Sequence, residues 1–229
     1  MSTYQFYLES CQIMDTRSFH EDTIIAGVGA IVNGVPLPSL AVQVGDHNNG
    51  SFAFWEKGLG SMDNVAIGTN DFFAFAFELF NNGHSHQPSV SDLQAFVDRD
   101  LINAHGSFGP WFPSSQPGNK TAARTDLIVL VPGGDWNPDK QDHQDLIESE
   151  SDLYTGGIFS GLKAAIGGCD GPLGAGLIYG QGAALEQRIP AIGPLRISAQ
   201  LNAKNLGFDA PCNRAGSNYV VNIIVQRRS

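Results

Sequence analysis

The segment Phe72-Phe-Ala-Phe-Ala-Phe-Glu-Leu-Phe80 constrains the fold more than any other part of the chain. In an extended strand, successive side chains point to opposite faces. Phe73, Phe75, Phe77 and Leu79 therefore line one face, and Phe72, Ala74, Ala76, Glu78 and Phe80 the other. A strand apolar on both sides belongs in the middle of a sheet, and the alanines leave room for another element to pack closely over it. If the strand were instead exposed, it would point to a self-assembling protein.

The surrounding sequence repeats the period of two. Strands are expected at about Thr3–Met14, Thr23–Val32, Ser39–Val44, Ser51–Trp55 and Asn64–Ile67, and then at Leu173–Tyr179, Leu195–Leu201 and Asn218–Gln226. Asn33-Gly34 between the second and third strands is a tight hairpin signal, because both residues tolerate positive φ. At Pro88 the period changes. Ser89 or Ser91 can cap a helix in which Leu93, Phe96, Val97 and Leu101 form an apolar stripe ending near Ala104. Asp126–Val131 reads as a buried central strand, and Gly157–Ile166 as a short helix. Strands on both sides of this interlude predict one antiparallel β-sandwich of jelly-roll kind spanning residues 1–229, with residues 85–170 as a helix-and-loop insertion.

Composition narrows the function. The chain carries 23 Asp+Glu against 13 Lys+Arg, a net charge of −10, and only 16% charged residues. Binding to nucleic acid requires clustered cations, so neither nucleic acid nor an anionic membrane surface is an expected partner. No apolar run approaches the length of a spanning helix. Met1–Ser10 lacks the basic and apolar pattern of a secretion signal, which favours a cytoplasmic location. Cys11 falls in a strand pattern as a buried thiol, while Cys169 and Cys212 lie in loops where they either pair or stay reduced.

The candidate functional residues gather in loops. Asp15–Asp22 follows the first strand, Gly45-Asp46-His47-Asn48-Asn49-Gly50 the third, and Asn81-Asn82-Gly83-His84-Ser-His86 the Phe-rich strand. The first two loops belong at one end of an up-and-down sheet, and loops on a rigid scaffold are where binding groups collect. Asn, Asp and Gly also serve ordinary turns. The first expectation is a binding protein in which Asp22, Asp46, His47, Asn48 and Asn49, with Trp55 and Trp111 as stacking surfaces, hold a neutral polar ligand such as a glycan.

Calcium is a possible cofactor of that site, since a hard cation takes several oxygen ligands. Asp135-Trp-Asn137-Pro-Asp139 opens like an EF-hand loop, but Lys140 stands where Gly is required and Leu146 where a bidentate Glu is required; a less regular site in this loop or at Asp15, Asp22 and Asp46 remains. The alternative is an enzyme acting on a small molecule, with His84 and His86 on a transition metal or His20 and Asp22 as an acid/base pair. Neither a nucleophile elbow nor a phosphate-binding loop occurs.

Overall fold

The computed structural model describes residues 1–16, 21–83, 88–108, 127–130, 171–189, 192–202 and 217–229. Among them are eleven strands. These are β1 (Ser2–Asp15), β2 (Asp22–Val32), β3 (Val35–Pro36), β4 (Leu40–His47), β5 (Gly50–Ala53), β6 (Met62–Ile67), β7 (Phe72–Asn81), β8 (Ile128–Leu130), β9 (Gly171–Gln181), β10 (Leu195–Asn202) and β11 (Asn218–Arg227). Helix α1 covers Val90–Phe108 and helix α2 Gly182–Arg188, with one 3-10 turn at Trp55–Lys57.

The strands form two antiparallel sheets. In the first the order is β10-β11-β1, with β5 and β6 sharing the other edge of β1; in the second it is β8-β9-β7-β2, with β3 and β4 sharing the other edge of β2. Each sheet takes strands from both halves of the chain, and together they make an all-β sandwich. Alternation along β1 explains its inner face. Tyr4, Phe6 and Leu8 point inward, the register slips between Leu8 and Ser10, and Cys11 and Ile13 then continue the buried face. A bulge of this kind shifts the pleat by one residue.

Between the sheets, Phe6 stacks on Phe75 at 5.4 Å between ring centroids and lies 5.9 Å from Phe73. Phe77, Leu79, Ile24 and Val28 extend the same core. The other face of the second sheet carries a second core. There Ile25, Ile31, Phe72, Ala74, Ala76 and Phe80 meet Leu93, Val97, Leu101, Ala104 and Phe108 of α1. The layers therefore run sheet, sheet, helix. Every residue of β7 is buried, which removes the self-assembly reading of the Phe-rich strand.

Glycine permits the close helix contact. A Cβ on Gly29 would stand 2.7 Å from Val97 Cγ1 and 2.8 Å from Leu101 Cδ1, and one on Gly27 3.1 Å from Leu93 Cγ. The hairpin at Asn33 (φ 49°) and Gly34 (φ 81°) forms as its residues require. It also ties β2 to β7, because the Phe72 amide donates to Asn33 Oδ1 at 2.9 Å and Asn33 Nδ2 to Asp71 Oδ1 at 2.8 Å.

Three elements differ from the sequence expectation. Strand β4 runs on to His47, past the predicted end at Val44, because a bulge at Val44 and a positive φ at Gly45 (103°) turn the strand without ending it. Strand β8 pairs only with β9 among the described residues, at an edge instead of the centre. Helix α2 was not anticipated; its start is held by the Gly182 and Ala183 amides, which donate to the carbonyls of Asp71 (3.0 Å) and Thr69 (2.8 Å). The expected helix at Gly157–Ile166 lies outside the described residues.

Candidate functional site

Cross-strand pairing assembles one end of the sandwich. Asp22 opposes His47, Thr23 opposes Asp46 and Ile24 opposes Asn81, so the end of β4, the start of β2 and the end of β7 lie side by side. Asp22, Asp46 and His47 are thus strand residues and not loop residues, which fixes their backbone. Only Asn48 and Asn49 remain as the exposed turn by which the chain passes from β4 in one sheet to β5 in the other.

The side chains at this end form a connected polar layer. The Tyr219 hydroxyl of β11 donates to Asp22 Oδ2, joining the two sheets across fully buried residues. Thr23 Oγ1 donates to Asp46 Oδ1 at 2.6 Å. Asn81 Oδ1 accepts the Thr23 amide at 2.9 Å and the Gly83 amide at 3.4 Å. Asn82 Nδ2 donates to the Pro88 carbonyl at 3.2 Å, which ties the end of β7 to the approach to α1.

The His47 ring stacks on Phe52 at 4.3 Å between centroids. Burial, followed by the positive charge of Lys57, holds its imidazole below the ordinary histidine range, against opposing pulls from the Val44 backbone and Asp46. It is therefore neutral at neutral pH. Three buried polar atoms near this end, His47 Nε2, Asn82 Oδ1 and Ser217 Oγ, have no hydrogen-bond partner among the described residues. Such groups are costly unless something satisfies them.

Other expected site residues fall elsewhere. Trp55 is 68% exposed in the 3-10 turn, beyond the far end of β5 from Asn49; the four residues of β5 alone span roughly 13 Å at about 3.3 Å per strand residue. His20, His84, His86, Trp111, Asp135, Asn137, Asp139, Cys169 and Cys212 lie outside the described residues. Among the described residues no three His, Cys, Asp or Glu side chains converge on a point that suits a metal ion. Asp15, Asp22 and Asp46 are not grouped as such a set among the described residues; Asp22 accepts from Tyr219 and Asp46 from Thr23. Cys11 is a free, buried thiol whose pKa burial pushes up to about 12.

Two further features lie away from this end. A half-open cavity of about 460 Å³ lies between β6 and the β3 and β4 edge, lined by Val32, Val35, Leu40, Met62 and Val65 with Asp63 among them. Asp63 is already occupied by Gln5 Nε2 at 2.6 Å and Ser61 Oγ at 2.8 Å. The second feature is a carboxyl pair in the helix-facing core. Glu78 of β7 and Asp100 of α1 are both 0% exposed and lie within hydrogen-bond reach of each other, and among the described residues neither Glu78 oxygen has any other partner. Burial first, then the neighbouring Asp100, raise the Glu78 carboxyl well above its ordinary range; burial raises that of Asp100 to about 7, with Glu78 and Arg99 pulling it back.

The sequence reading named neither Tyr219 nor Asp100 as a site residue. Tyr219 is indistinguishable from a core aromatic by periodicity alone. Glu78 carried a readable signal, a single carboxylate on a strand otherwise apolar on both faces.

No protein family, no curated protein and no solved structure matches the chain.

Proposed function

We propose that the chain is a binding protein, and that a neutral polar ligand of the glycan class is held at the sandwich end formed by Asp22, Asp46, His47, Asn48 and Asn49. The observation that carries this reading is the register itself. Pairing of Asp22 with His47 and of Thr23 with Asp46 lines up fixed polar groups directly beside the exposed Asn48-Asn49 turn. The partnerless His47 Nε2 and Asn82 Oδ1 in the same region add hydrogen-bonding capacity that the described protein groups leave unused.

The ligand's neutrality follows from the bonding around each charge. Both carboxylates accept hydroxyl hydrogen bonds, from Tyr219 and Thr23, His47 is neutral, and the exposed groups of the turn are the uncharged Asn48 and Asn49 amides. The exposed Trp55 indole offers an apolar face on which a sugar ring can stack. Its distance from Asn49 suits a ligand of several rings, with one end on the asparagine turn and another on Trp55.

The enzyme alternative pairs Asp22 with His20, which lies outside the described residues. Asp22 bonds to Tyr219, and its cross-strand neighbour His47 stacks on Phe52. Catalysis by such a pair needs the carboxylate to orient the imidazole.

The test is a panel of neutral oligosaccharides against the wild type, Asn48→Ala/Asn49→Ala and Trp55→Ala, read by titration calorimetry. Binding weakened about tenfold or more by either variant, about 1.4 kcal/mol, supports the reading. No binding across the panel, or equal binding by all three proteins, overturns it.

A further inference from the structure

The seam between the second sheet and α1 contains two carboxyl groups where an apolar contact would be expected. Glu78 stands on the helix-facing side of β7, and its cross-strand neighbours are Gly27 of β2 and Ala175 of β9. Neither offers a side-chain donor. Asp100 comes down from α1 onto the same seam within hydrogen-bond reach of Glu78, and its Oδ2 has no other partner among the described residues. Among the described residues the one cation within reach is Arg99, whose Nε lies 3.5 Å from Asp100 Oδ1 while its side chain is 42% exposed and lies over the Phe96 ring. Among the described residues, β4 brings Ala41 to this core, Tyr179 and His105 sit around Phe72 at the other end of β7, and Asp98 of α1, whose Oδ1 is buried, lies beside Arg99.

The charge count on this seam is decisive. One guanidinium can offset one carboxylate, so the seam accommodates a single negative charge, with a proton on the other carboxyl. A second negative charge would have no counter-charge and no hydrogen-bond donor in a water-excluded contact, where two neighbouring carboxylates cannot both ionise without large cost.

We propose that Glu78 and Asp100 form a single-proton latch that seats α1 on the sheet, and that loss of the shared proton unseats the helix while the sandwich beneath it stays folded. The direction is set by linkage. In the unfolded chain both carboxyls ionise in their usual range, near 3.8 for Asp and 4.5 for Glu, whereas the folded pair keeps a proton to higher pH. The grip is complete in acid and declines as pH rises toward and past neutrality. Unseating exposes Ala74, Ala76, Phe80 and the Gly27–Gly29 strip, a continuous apolar surface that α1 otherwise covers.

Amide hydrogen exchange, corrected for the intrinsic pH dependence of exchange, tests this region by region. Between pH 5.5 and 9 the protection of α1 amides is expected to fall at least tenfold, while that of the β1 and β11 ladder stays constant. In Glu78→Gln and Asp100→Asn, which retain shape but remove one ionisation, the α1 profile is expected to be flat over the same range. Unchanged α1 protection in the wild type, a parallel loss in β1 and β11, or an equal loss in both variants overturns the proposal. Should neither variant fold, the wild-type comparison of α1 with β1 and β11 decides alone.

Discussion

The Tyr219 hydroxyl reaches from β11 in one sheet to the Asp22 carboxylate at the start of β2 in the other, and both residues are fully buried. It is a polar bolt across the end of a sandwich whose core between the sheets is apolar. Tyr219→Phe keeps the ring and removes the donor. It is expected to destabilise the protein by about 1–3 kcal/mol, the typical cost of leaving a buried group unsatisfied. Urea unfolding measures this. A midpoint identical to the wild type would mean the bond contributes nothing.

Gly29 tests the helix contact. With 2.7 Å between its built Cβ and Val97 Cγ1, Gly29→Ala forces the helix and sheet apart and is expected to cost about 1–3 kcal/mol, as overpacked cores do. The same substitution at Gly45, where no atom lies within 4 Å, meets no clash and is penalised only through its positive φ of 103°. Comparing the two thermal transitions separates crowding from backbone strain.

His47 sets the acid side of stability. Its folded pKa is depressed below the usual 6.5, so below that value the unfolded state binds more protons and stability falls as pH drops toward the folded value. His47→Gln is expected to flatten the stability profile between about pH 6.5 and 5, a span set by the unperturbed histidine pKa. Denaturation midpoints at half-unit pH intervals show whether the slope disappears.

Cys11 is the simplest case. With its thiol buried and pushed up to about 12, almost no thiolate is present at neutral pH. A thiol reagent is expected to leave Cys11 unmodified in the native protein and to label it in denaturant, with peptide mass mapping distinguishing it from Cys169 and Cys212. Rapid native labelling of Cys11 would contradict its placement.

Much of this architecture was legible because strand periodicity and turn chemistry act locally. The alternation in β7 identified a buried central strand, its alanines identified a close neighbour, and Asn33-Gly34 identified the hairpin. What escaped depends on partners remote in sequence. Asp46 and His47 looked like loop residues because Gly45 normally interrupts a strand, yet a bulge against Ile24 and Ile25 carries the ladder past it. Tyr219 became a site residue only through Asp22, 197 positions away. The end of the sandwich reads from sequence as a gathering of polar loops; that Asp22 accepts from Tyr219 and Asp46 from Thr23 could not be read from composition.

The separation of β7 from β9 has a consequence for synthesis. Asn81 pairs with Gly171, 90 positions further along the chain. At a translation speed of roughly 5–20 residues per second, the Phe-rich strand waits on the order of 5–20 s at the ribosome before its second neighbour has been made. During that interval β2 and α1 can shield part of it, but one hydrogen-bonding edge stays open. An unpaired, phenylalanine-rich edge is what nascent-chain chaperones bind and what inclusion bodies grow from. The completed molecule hides β7 entirely; its newborn form displays it.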